Sequence, residues 1–134
     1  MQKDNTTVAD SKELRYAIKA SRILDVQRLI DFNKKLLYES DSVGQGPLHW
    51  AVKGNSRTMI LFLIQKGALI NAIDVAGRTP LHLAGRYDYY KTVRLLLENG
   101  GDLSIKSLNG ATPLEACARG SIAHAYIKRY IKNL

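Results

Sequence analysis

The stretch Thr79-Pro80-Leu81-His82-Leu83-Ala84 decides the fold, because the same phrase stands one step before it and one step after it. The earlier copy is Gly46-Pro47-Leu48-His49-Trp50-Ala51 and the later one Thr112-Pro113-Leu114-Glu115-Ala116-Cys117, so the prolines recur every 33 residues. A fixed step of that length marks a chain built from one small stacked unit, in which no unit can bury its apolar face alone. Two further markers hold the register. Gly67-Ala68-Leu69-Ile70-Asn71-Ala72 returns as Gly100-Gly101-Asp102-Leu103-Ser104, and Asp74-Val75-Ala76-Gly77-Arg78 has its counterpart between Lys106 and Ala111.

Within one unit the physical chemistry predicts two antiparallel helices. Thr79 caps the first turn, Pro80 takes the first helical position where its missing N–H costs nothing, and Leu81 with Ala84 starts a buried stripe. A second apolar run, Val93 to Leu97, stops at Asn99-Gly100-Gly101, where glycine accepts the left-handed conformation that ends a helix. The unit before it repeats the pattern with Ile60 to Ile64 and then Gly67, and Asp74 with Gly77 supplies turn chemistry between units.

With these phrases in place the chain resembles the ankyrin repeat family, whose hallmark is a T-P-L-H-x-A phrase every 33 residues. The resemblance implies an all-α repeat solenoid of about four stacked helix-turn-helix units with β-turn or hairpin fingers. The units fall at 11–44, 45–77, 78–110 and 111–134, the outer two acting as caps of a single domain over 11–134, behind a flexible segment at 1–10. The first cap keeps the stripe Leu14, Ala17, Ile18, Val26, Leu29 and Ile30 but lacks the proline; the last carries a Thr112–Glu115 capping box, and no glycine finger follows its final stripe at Ile122, Ile127, Tyr130 and Ile131. On that pattern the 134 residues are expected to be a complete small domain.

Composition agrees with a globular chain: 46% hydrophobic, 24% charged, one cysteine, and neither a membrane-spanning run nor a signal-peptide core. Cys117 is read as a reduced packing residue and the location as cytoplasmic. His49 and His82 share one position in successive units, near the start of a helix, where an imidazole can bond across the turn to a hydroxyl such as Thr79. Zinc would need more ligands than they provide, and no phosphate loop, HExxH, CxxC or paired carboxylates occur. The expectation is therefore no enzyme, no metal and no cofactor.

What remains is surface. Five residues beyond the leucine that opens each first helix stand Lys19, Lys53, Arg86 and Arg119, a cation in every unit. The plain account of that row is helix-dipole complementation and solubility; the functional account is contact with an acidic partner. Large, partly polar side chains at Trp50 and Tyr87 suit binding anchors, Tyr87 lying with Tyr89 and Tyr90. The resemblance implies contact through the concave first-helix face and the finger tips, which carries over to Trp50, Lys53, Leu83, Arg86, Tyr87 and Arg119 in the groove and to Val75, Arg78 and Leu108 at the tips.

The function so read is a monomeric, non-enzymatic protein-interaction module. Its net charge of +8 keeps open attachment to nucleic acid or an anionic membrane. A role as accessory subunit of an enzyme or of a toxin or effector system is a third reading.

Overall fold

The computed structural model describes residues 3–134, with side chains from Asp10 onward. Among them are eight α-helices and no strand. They are α1 (Lys3–Lys19), α2 (Ile23–Phe32), α3 (Pro47–Lys53), α4 (Arg57–Gln65), α5 (Pro80–Arg86), α6 (Tyr90–Glu98), α7 (Pro113–Ala116) and α8 (Ile122–Lys132), with a 3-10 helix at Lys34–Tyr38. The chain divides into two compact units, one ending at Leu69 and the other spanning Ile70–Leu134.

In the first unit α1 packs on α2 and α3, and α3 on α4. The core is Leu14, Ile18, Val26, Ile30, Leu36, Leu48, Met59, Ile60 and Leu63, all buried. Each such side chain contributes about 2 kcal/mol by leaving water. Helix α1 begins at Lys3, upstream of residue 11 where the sequence pattern starts its first unit. The part of the expected flexible segment at residues 1 and 2 lies outside the described residues.

In the second unit α5 packs on α6 and α7, and α8 on α6 and α7. Its core holds Leu81, Leu83, Ala84, Val93, Leu96, Ala123 and Ile127. Each of the three prolines opens its helix, as the phrase spacing predicts. The Thr79 hydroxyl accepts from the His82 N–H at 3.3 Å, and His82 Nδ1 accepts from the Thr79 N–H at 3.1 Å. That leaves Nε2 to donate to the Ala111 carbonyl at 2.9 Å, which ties α5 to the next turn. In the following unit Glu115 takes over the reciprocal bond to Thr112. The bonds donated by the Thr112 N–H and then by its hydroxyl hold the Glu115 carboxyl below its ordinary range.

The expected hairpin fingers are not there. Three equivalent turns occupy their place, at Asp41, Asp74 and Ser107. In each the first residue donates its N–H to the carbonyl four residues on, and the glycine donates back to the first carbonyl. A ladder pair would exchange both backbone bonds between the facing residues. Here the return N–H is captured by a side chain instead: Gln45 donates to Asp41 Oδ1, Arg78 to Asp74 Oδ1 and Ala111 to Ser107 Oγ. The turns close on their own side chains, and pairing does not propagate. Gly77, at φ +74°, illustrates why the fourth turn residue is glycine, since a Cβ there would also lie 3.0 Å from the Leu108 nitrogen.

Candidate interaction surface

The surface starts from the turns. Val75 and Leu108 occupy the same place in successive turns of the second unit and are 64% and 80% exposed. The Leu108 N–H donates to the Ala76 carbonyl at 2.9 Å, so the two turns are tied edge to edge. Arg78 is half-buried and held: its Nε donates to Asp74 Oδ2 at 3.1 Å, and that carboxylate is itself buried. Its charge is neutralised inside the turn, while Val75 and Leu108 stand free of the core as two apolar knobs.

The helix ends come next. Arg86 lies in the last turn of α5, with Tyr87 as its C-cap, and both are exposed. The Tyr87 and Tyr89 rings lie 5.6 Å apart at a tilt of 36°, which fixes the tyrosine pair at the helix terminus. Helix α7 stops at Ala116, so Arg119 is exposed in the turn before α8 rather than on a helix. Close packing of α5 on α7 brings these ends near each other: a Cβ on Gly85 would fall 2.7 Å from Cys117 Sγ. Neither Arg86 nor Arg119 forms an ion pair among the described residues.

In the first unit Lys19 and Lys53 are exposed in the last turns of α1 and α3, and Lys53 Nζ donates to Gln45 Oε1 at 3.1 Å. Trp50 and Leu83, both read from the sequence as groove contacts, are 2% and 1% exposed. They are core residues. Trp50 turns inward because its Nε1 donates to Asp41 Oδ2 at 3.1 Å, so the indole is sealed against its own turn. With Arg15 and Asp41 it walls a cavity of about 290 Å³.

Burial pushes the Asp41 carboxyl up. The bond from Trp50, the N–H groups of Gln45 and Val43 and the Arg15 cation outweigh it, and the group sits below its ordinary range. Cys117 goes the other way: burial first, and the Asp88 carboxylate second, push its thiol up to about 11. It is protonated at neutral pH and poorly nucleophilic. Among the described residues no group of three or more His, Cys, Asp or Glu side chains is placed to hold a metal ion. Nor is any helix among them long and apolar enough to cross a membrane.

The family model for ankyrin repeats, in three copies, matches residues 14–107, more than half of the chain. The chain belongs to the ankyrin repeat family. Its described residues form an all-α repeat fold of the kind that the family implies. One relative, an ankyrin repeat protein of fowlpox virus (strain NVSL), is 35% identical over 53 residues. That segment is 40% of this chain and 28% of the viral protein, so the chain spans well under two thirds of that relative.

Two exposed residues that sequence reasoning passed over are Leu24 and Phe32 on α2, at 81% and 78%. The signal was available in the repeat register, which places polar residues at both positions in every other unit.

Proposed function

We propose that the chain is a protein-interaction module that grips an acidic partner with the ends of its first helices and with its connecting turns. In this reading the repeats are taken as 11–44, 45–77, 78–110 and 111–134, acting as a monomer in the cytoplasm. Arg119 carries the argument. Lys19, Lys53 and Arg86 sit in last helical turns, where a cation suits the helix dipole and needs no further purpose. Arg119 lies beyond α7 and has no such justification, yet it repeats the cation at the same step of the register and is exposed. Arg86, Arg119 and Tyr87 then supply charge and a rigid aromatic anchor, and Val75 and Leu108 supply apolar contact.

The test is affinity capture at physiological salt, comparing wild type with Arg86→Ala/Arg119→Ala after matching their melting curves. A discrete protein retained by the wild type and lost from the variant supports the reading. Nucleic acid or anionic lipid recovered in its place, with loss on raising the salt, moves the assignment to the electrostatic alternative that the +8 charge allows.

A further inference from the structure

Helix α2 presents an outward face that the fold does not require. Its exposed positions are Leu24, Arg28, Asp31 and Phe32, spaced as one side of a helix. Leu24 stands ten residues past the opening Leu14, and the other units place Thr58, Lys91 and His124 at that step. Phe32 stands eighteen past it, where the others place Lys66, Asn99 and Lys132. Thr58, Lys91 and Asn99 are themselves exposed and Lys66 is half-buried, so these positions are open to solvent in the middle repeats and belong to no buried seam. The first repeat, 11–44, alone puts two large apolar side chains there, about 12 Å apart along the helix. Substituting polar residues would cost the core nothing, so the fold does not account for two large apolar side chains exposed on one helix face.

The charges around the pair decide its occupant. Arg28, between Leu24 and Phe32, has a side chain 70% exposed and shares Asp25 with Arg22. Lys34 and Lys35 follow at the helix end, both exposed. Cations outnumber the acids Asp25 and Asp31, so the patch attracts carboxylates. A second copy of a chain carrying +8 is repelled. An anionic bilayer would gain only two inserted side chains from this face, because the rest of α2 is packed on α1 and the 3-10 helix. We infer that the outward face of α2 docks an acidic amphipathic helix of another protein, one with two apolar side chains about two turns apart and carboxylates flanking them. This surface is separate from the helix ends and turns of the proposed function and stands or falls without them.

The experiment is selection from a displayed library of helical peptides against the wild-type chain, counter-selected with Leu24→Lys/Phe32→Asn. These substitutions install residues that the chain already uses at the equivalent steps, and unchanged melting checks that the fold is kept. The expected consensus is an apolar pair two turns apart flanked by Asp or Glu. The winning peptides should bind the double variant at least roughly tenfold more weakly and lose affinity similarly for Arg28→Glu, while Arg86→Ala/Arg119→Ala leaves their affinity unchanged. No enrichment, a neutral or basic consensus, or equal binding to the double variant overturns the proposal. So does binding to phosphatidylserine vesicles that displaces the peptides, or self-association in sedimentation that the double variant abolishes.

Discussion

The turns at Asp41 and Asp74 carry the same residue at the same point of the repeat and close their backbones in the same way, but their carboxylates end on different partners. Asp41 receives the Trp50 indole and the Arg15 guanidinium; Asp74 receives Arg78 from its own turn. Equivalence in the repeat dictates the backbone, and the spare carboxylate oxygen is then used locally. In one case it draws an aromatic side chain out of the surface, and in the other it neutralises a cation. Register alone therefore predicts where a turn lies better than which of its neighbours a partner can touch.

Removing the shared residue gives the largest separation between the two turns. Asp41→Ala strips acceptors from two backbone N–H groups and leaves the buried Trp50 Nε1–H without its partner, so a loss of about 3 kcal/mol is expected. Asp74→Ala loses the bonds to Ala76 and Arg78, but the guanidinium it frees is part-exposed and can reach water; about 2 kcal/mol is expected. Urea melts of the two variants check the order. Equal losses would mean that the indole bond adds nothing to the first turn.

Trp50 sharpens the comparison further. If its bond to Asp41 is the distinguishing interaction, Trp50→Phe and Asp41→Ala are non-additive, with a coupling of about 1 kcal/mol in a double-mutant cycle. The helices behind the turns differ comparably. Thr79 caps α5 whereas Gly46 leaves α3 without a side-chain cap, so Thr79→Ala costs about 1 kcal/mol. Gly46→Ala brings no compensating gain, since its Cβ would approach the Glu39 carbonyl to 3.1 Å.

The same carboxylate gives the first turn a pH dependence. The folded Asp41 pKa lies below its ordinary value, so its stabilisation is fully present above about pH 4 and is lost as pH falls through the folded pKa. The chain has one tryptophan. The chemical shift of its indole N–H should therefore titrate in step with that loss below pH 4, and Asp41→Asn should flatten the response.

Much of this was legible in the residues. Pro47, Pro80 and Pro113 open helices, and Thr79, His82, Thr112 and Glu115 make the caps that their types and spacing demand. The hairpins were misread because the competition was between a backbone carbonyl and the side chain of the same aspartate or serine, which no pattern of residue types decides. Trp50 was misread as a contact because its partner lies nine residues upstream, outside its own phrase. The end of α7 was missed because the phrase announces where a helix starts and says little about where it stops. Leu24 and Phe32 needed only a comparison across units at matched steps.

The smallest expected effect on stability separates the two arginine environments. Arg78 is held by a buried carboxylate, so Arg78→Ala leaves Asp74 Oδ2 without that partner and costs about 1 kcal/mol. Arg86 and Arg119 are exposed and make no ion pair among the described residues, so removing both should change stability by less than about 0.5 kcal/mol. Partner binding should respond in the opposite order. A cation neutralised within its own turn has little left for a carboxylate across an interface, whereas the free ends of α5 and the turn after α7 keep their full charge for it. Salt titration of the captured complex in the three backgrounds checks this: a slope reduced by Arg86→Ala/Arg119→Ala and unchanged by Arg78→Ala places the electrostatic contact at the helix ends. The reverse places it in the turn, with Arg78 exchanging Asp74 for the partner on binding.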